Sequence, residues 1–293
     1  MILRGEKELP AFSSVLAAVF LTSFKLIVGT MTNSLGILAE AAHSALDLVA
    51  AVVTLIAVIV SVRPPDLDHH YGHGKVEHLS ALFETMLLLV TCAWIVYASL
   101  QRLFFKQVEV DASIWAFVVM FVSIVIDYSR SGVLSKAAKK FRSQALEADA
   151  LHFRSDIWSS SVVILGLILV RLGQSYPKFH LIAQADSLAA LTVAGIVVYV
   201  SLRLGRRTLH GILDQAPVGL RDQVMRAVES VPGVRDCHDI RLRTAGSTLF
   251  IDMHVLLDPK QSLDEAHRLT ERIEGVVKHL APEADVTVHA EPA

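Results

Sequence analysis

The sequence predicts a multi-span α-helical membrane protein, with six transmembrane helices and a C-terminal α+β cytoplasmic domain, and three observations carry that prediction. Hydrophobic residues make up 53% of the 293 positions and charged residues only 19%, which is too apolar for a soluble chain of this length. The apolar residues gather into runs of about 20, enough to cross a hydrocarbon core of roughly 30 Å. From about Leu209 onward the character changes, as charge becomes frequent and Pro217, Pro232, Pro259 and Pro282 punctuate the chain.

The apolar runs fall near 12 to 32, 36 to 62, 79 to 101, 112 to 135, 146 to 172 and 181 to 204. The first holds Lys25, lacks a small-residue cleavage site and precedes further spans, so it reads as a span and not as a signal peptide. The second contains "AEAAHSALDLVAAVV", where Glu40, His43 and Asp47 share one helix face because positions three and four apart stack. The third and fourth carry Glu84 and Asp127. The fifth repeats the second: "LEADALHFRSDIWSSSVV" sets His152 and Asp156 four apart, with Asp149 one turn earlier. Two helices thus each offer His-x-x-x-Asp.

The remaining chain, 209–293, reads as a separate soluble domain after a six-span membrane domain of 1–208. Its patterns predict a helix near 218 to 230, strands near 236 to 245 and 248 to 257, a helix near 262 to 279 and a strand near 284 to 290. In "TLFIDMHVLLD" the alternation puts Leu249, Ile251, Met253, Val255 and Leu257 on one face and His254 on the other. One sheet backed by two helices follows.

Lys and Arg set the orientation. They are dense before the first span (Arg4, Lys7), between the second and third (Arg63, Lys75), in "RSGVLSKAAKKFR", and after the sixth (Arg203, Arg206, Arg207). The opposite loops hold none in "MTNS", then Arg102 and Lys106, then Arg171 and Lys178. Both termini are therefore expected in the cytoplasm, with the spans in the cell inner (plasma) membrane. A formal net charge of −2 and the lack of an aromatic-basic stripe argue against nucleic acid as a partner. Cys92 in a span and Cys237 in the tail form neither a disulfide nor a thiolate cage.

A carboxylate at mid-membrane costs roughly 2.5–3.5 kcal/mol on insertion scales, so Asp47 and Asp156 require compensation. Two imidazole nitrogens and two carboxylate oxygens suit tetrahedral Zn²⁺, and two carboxylates neutralise one divalent ion. The alternative is that each pair caps, salt-bridges or faces a water pocket; Arg154, two positions from Asp156, points to a different helix face. Glu40 and Asp149, a turn away, read as mouth or supporting residues. For Lys25, Glu84 and Asp127, pairing or snorkelling near span ends stands beside a role in transport.

The loop "PPDLDHHYGHGKVEH" brings Asp66, His69 and His73 within reach of one ion, with Gly72 and Gly74 allowing close backbone approach and Asp68 and His70 as substitutes. In the tail, His238, His254, His267 and His289 fall on different predicted elements, and Glu291 follows the last by two. Spacing alone does not bring them together. A membrane zinc hydrolase would keep an open metal position and a glutamate base, often as His-Glu-x-x-His; that motif is missing, so the chain does not read as an enzyme. A metal sensor would make the spans mere anchors, which ligands in two of them oppose.

Together these motifs resemble the cation diffusion facilitator family and, within it, bacterial zinc-type metal cation/proton antiporters. The resemblance covers nearly the whole chain: the spans, both His-x-x-x-Asp pairs, "DLDHHYGHGKVE" and the α+β tail, which it implies is metallochaperone-like. It implies that His43, Asp47, His152 and Asp156 form the transport site and that Asp66, His69 and His73 form a second, loop site. His238, His254, His267 and His289, with Glu291, would belong to a binuclear site at the dimer interface of the tail. Lys75 and Asp214 would make an inter-subunit charge contact in a homodimer held in membrane lipid. Zn²⁺ would be both the exported substrate and a ligand of the tail, exchanged for protons; the broader alternative adds cadmium, iron, cobalt or manganese. The sequence departs from well-known zinc and cadmium relatives in having His43 where they show a second Asp. It has Ala290 where some relatives offer a polar ligand.

Overall fold

The computed structural model describes residues 2–104, 114–175 and 182–293. It forms two compact units, one of Met1–Val62 with Val76–Thr208 and the other of Arg63–Lys75 with Leu209–Ala293.

Six long helices make up the first part of the chain: α1 (Ile2–Thr32), α2 (Leu35–Ser61), α3 (Val76–Phe104), α4 (Ile114–Phe141), α5 (Gln144–Ser175) and α6 (Ile182–Ile212). Among the described residues, four helical segments are long and apolar enough to cross a membrane: Gly5–Thr32, Ile37–Ser61, Val76–Tyr97 and Ile114–Phe141. These four segments lie in α1 to α4, so four of the six expected spans have a counterpart among the described residues. In α5, Glu147, Asp149, His152, Arg154 and Asp156 lie in the N-terminal half, ahead of the apolar run. The expected loops with Lys106 and Lys178 lie outside the described residues.

Local chemistry sets the helix ends. Asn33 turns the chain with φ +50°, and Ser34 in extended conformation accepts a hydrogen bond from the Ile37 amide at the start of α2. Between α4 and α5, Arg142 turns at φ +48° and the Ser143 hydroxyl accepts from the Leu146 amide. The α1 helix packs mainly on α2, and α4 on α5. Small and apolar side chains, among them Ala11, Val58, Leu134, Ala145 and Phe153, fill one interior cluster. Outward positions such as Phe20, Leu46, Val90, Trp94 and Trp158 remain exposed, which fits a surface whose solvent is lipid and whose packing relies on small residues inside.

Several charges inside this bundle are paired. Lys7 meets Glu77, which also accepts from Ser61 and Ser143. Lys25 lies 3.2 Å from Glu40 and donates to the Ser44 hydroxyl at 2.8 Å. Arg130 contacts Asp127 at 3.2 Å, donates to Ser14 at 3.0 Å and stacks 3.4 Å over the Phe153 ring. Ser14 in turn donates to Asp149 at 3.2 Å. Pairing therefore accounts for Lys25 and Asp127.

The second unit contains α7 (Leu220–Glu229), β1 (Asp236–Ala245), β2 (Thr248–Leu257), α8 (Leu263–Leu280) and β3 (Ala284–Pro292). The sheet order is β1-β2-β3, with β1 and β2 antiparallel and β2 and β3 parallel. A parallel pair needs a crossover, and α8 provides it. Ser262 and Glu265 form a capping box at its start. Ile251, Met253, Val255 and Leu257 of β2 are buried against Val224, Val228, Leu269, Ile273 and Val277, as the alternation predicts.

The segment Arg63–Lys75 folds with this unit. Gly74 sits so close to the β1–β2 turn that a Cβ there would lie 2.3 Å from the Ala245 carbonyl oxygen. Tyr71 meets Phe250 edge-on at 5.2 Å, and the Arg243 guanidinium lies 3.6 Å over the Tyr71 ring. Lys75 pairs with Asp214 of the same chain at 2.8 Å.

Candidate metal centres

In the first unit, α2 supplies His43 and Asp47 and α5 supplies His152 and Asp156, one turn apart on each helix. His152 Nε2 lies 3.1 Å from Asp47 Oδ1 and 3.5 Å from Asp156 Oδ2. His43 Nε2 lies 3.9 Å from Asp47 Oδ1 and 3.9 Å from Asp156 Oδ1. Ligand atoms of His43, Asp47 and Asp156 all fall within 4.8 Å of one another. The spacing on each helix comes from the sequence; the meeting of α2 and α5 comes from the fold. Asp47 and His152 are buried, while His43 is about one-third exposed. His152 falls outside that group of three but touches both of its carboxylates, so the four side chains offer two imidazoles and two carboxylates, a donor set suited to a borderline divalent cation.

Glu40 and Asp149 stand apart from this group, engaged by Lys25 and by Ser14 respectively. A residue with no sequence spacing to tie it to the site does reach it: Glu84 of α3 places Oε2 3.4 Å from His152 Nδ1. Its only signal in the sequence is an acid inside an apolar run.

The second group lies in the loop of the second unit. Asp66 Oδ1 accepts from the His69 amide at 2.7 Å and the Asp68 amide at 3.0 Å, so the loop is wrapped around this carboxylate. His69 Nδ1 is 3.2 Å from Oδ1, and His73 Nε2 is 3.3 Å from Oδ2. The His69 amide, above all, holds the Asp66 carboxyl below its ordinary range. Gly72, at φ +74°, closes the turn by donating to the His69 carbonyl. The close approach at Gly74 is to Ala245, not to the candidate ligands. His70 contacts the Leu67 carbonyl, and Asp68 enters through its backbone amide.

The third group is a row across the sheet. His238 of β1 pairs in register with His254 of β2, and His254 with His289 of β3. Glu291, two residues further on β3, shares their face: its Oε1 is 2.8 Å from His254 Nδ1 and 3.7 Å from His289 Nε2, and its Oε2 is 3.4 Å from His238 Nε2. The hydrogen bond with His254 holds the Glu291 carboxyl below its usual range, so that contact persists at neutral pH and is lost as pH falls through the lowered value. His267 does not join this row within the chain. It lies exposed on α8, 3.6 Å from Glu271 one turn away, because α8 covers the other, apolar face of the sheet. Ala290 occupies the alternate side of β3, opposite Val255.

The chain is similar to known families and proteins over nearly its whole length. The model of the cation efflux transmembrane domain matches residues 11–213, and that of the cation efflux protein cytoplasmic domain matches residues 217–293. The cation-efflux pump FieF of Serratia proteamaculans (strain 568) is 33% identical over 289 residues, covering 96% of this chain and 92% of the relative. FieF of Cronobacter sakazakii (strain ATCC BAA-894) is 32% identical over 283 residues, covering 96% of this chain and 91% of the relative. Among solved structures, MamM-CTD 215-293 is similar over 25% of this chain and 95% of its own, at 28% identity and a TM-score of 0.24.

Proposed function

The chain belongs to the cation diffusion facilitator family, and on that premise we propose that it is a proton-coupled secondary transporter exporting divalent cations from the cytoplasm. It is a transporter and not an enzyme. Zinc is one substrate in this reading but not the sole one, because the relatives carry the name of cation-efflux pumps without restriction to zinc. The broader alternative, with iron, cobalt, cadmium or manganese beside zinc, thus replaces the zinc-restricted expectation.

The observation that carries the proposal is the convergence of His43, Asp47, His152 and Asp156 between α2 and α5. Two carboxylates neutralise a divalent charge that a low-dielectric interior would otherwise exclude. Imidazole binds metal only when neutral and titrates near pH 6.5 when free, so protons and metal compete for His43 and His152. Alternating access around this site would load metal from the cytoplasm and let inward-moving protons displace it outside.

In the same reading the chain crosses the inner membrane six times with both termini in the cytoplasm, residues 1–208 forming the transport domain. Residues 209–293 form a cytoplasmic domain for dimerisation and metal binding. The His238–His254–His289 row with Glu291 supplies divalent-metal ligands there, the Asp66, His69 and His73 loop that folds with it supplies others, and His267 acts from a second subunit. Metal flux into proteoliposomes, measured for each cation with and without a pH gradient, tests the proposal. Gradient-dependent flux of zinc and at least one other cation is the expected result; no flux of any cation would overturn it.

A further inference from the structure

Glu84 is fully buried on α3, and among the described residues no Lys or Arg pairs with it as one does with Glu77, Glu40 and Asp127. An enclosed carboxylate is costly unless its oxygens are used. One of them is: Thr54 of α2 donates to Glu84 Oε1 at 3.1 Å, and Thr54 lies 3.3 Å from the Ser80 hydroxyl, one turn before Glu84. The other oxygen, Oε2, is 3.4 Å from His152 Nδ1. Neither of these two atoms has a hydrogen-bond partner among the described residues. The far nitrogen of the same ring, Nε2, is the one directed at Asp47 and Asp156.

We propose that Glu84 is a positioning residue for His152. It accepts the Nδ1 proton, fixes the ring, and leaves the Nε2 lone pair for the metal. A ligating imidazole commonly gives its other N–H to a carboxylate or carbonyl, which sets the tautomer and raises the basicity of the ligand nitrogen. Thr54 and Ser80 serve to hold the carboxylate in turn. The inference rests on the reading of the four-residue site as the transport site.

The geometry also predicts which substitution preserves the role. In Glu84→Gln the amide oxygen can still accept from Nδ1, while its NH₂ donates to the Thr54 hydroxyl, which turns its own proton to Ser80. Glu84→Leu keeps the bulk and removes the acceptor. The test is zinc transport by the full-length protein in proteoliposomes, with KM and kcat determined separately. Glu84→Leu should raise KM on the order of 10–100-fold, the usual loss when such a supporting partner is removed, with a smaller change in kcat; Glu84→Gln should stay close to wild type. An unchanged KM in Glu84→Leu, or equal damage in both variants, would overturn the proposal.

Should Glu84→Leu fail to fold, the wild type alone decides the question. Nitrogen NMR of histidine-labelled protein, with His152→Ala to assign the signal, should show neutral His152 protonated at Nδ1 at alkaline pH; protonation at Nε2 would overturn the role. Asp47→Ala separates the two levels of inference. If it transports normally, the transport-site reading falls; if it is inactive while Glu84→Leu keeps its KM, only the role of Glu84 falls.

Discussion

Asp47 and Asp156 each meet both histidines of the site, so removing either leaves a divalent ion with uncompensated charge in a medium of low dielectric. Asp47→Ala or Asp156→Ala should abolish flux while insertion and dimerisation persist, as vesicle transport beside size-exclusion chromatography would report. His43 is the most exposed of the four, and its nitrogen gives the site a borderline-soft donor. His43→Asp adds a hard oxygen and a negative charge, favouring ions that accept more oxygen ligands. Flux of Cd²⁺ and Mn²⁺ should rise relative to Zn²⁺, with an altered pH dependence, at matched free concentrations and two pH values. An unchanged Zn²⁺ to Cd²⁺ ratio would place selectivity outside the ligand set. At this scale the sequence was legible wherever a helix repeat relates the residues, as in the two His-x-x-x-Asp pairs. Glu84 was not, because its relation to His152 crosses from α3 to α5 and leaves no spacing to read.

Among the elements, β2 was the most legible, since the period of two alone sorts Ile251, Met253 and Val255 inward and His254 outward. Ile251 is fully buried between α7, α8 and its neighbouring strands. Ile251→Ala should therefore cost about 2–5 kcal/mol of tail stability, read as a lower denaturant midpoint of the soluble domain at an unchanged slope. The histidine row was hidden for a different reason: strand register is a property of pairs. His238, His254 and His289 come level only after β1 pairs antiparallel and β3 parallel with β2. The same pairing explains His267, which a count of histidines groups with the others but α8 carries to the opposite layer. The long helices were legible as apolar runs, and their ends less so, because helix continues into polar residues wherever caps and partners permit, as at Val76 and Phe141.

For the molecule as a whole, composition showed the change at Leu209 but gave no hint that Arg63–Lys75 folds with the residues beyond it. That association depends on contacts between distant stretches: Gly74 on Ala245, Tyr71 on Phe250, Lys75 on Asp214. Gly74→Ala is the sharpest probe, since the new methyl meets backbone that cannot rotate away. It should cost about 1–3 kcal/mol, the usual range for forced overpacking, and should increase hydrogen exchange across residues 66–75 and the β1–β2 turn together. Exchange confined to the loop would show that the hairpin does not depend on it.

The distance along the chain between those partners also sets an order in time. Gly74 leaves the ribosome 171 residues (245 − 74) before Ala245, the backbone it packs against. At roughly 5–20 residues per second of synthesis, the Asp66, His69 and His73 turn waits on the order of 9–34 s for the surface it packs against. During that interval the turn is held to nothing but its own hydrogen bonds around Asp66, and a ribosome stalled before β1 should leave it open to a protease that the finished protein resists.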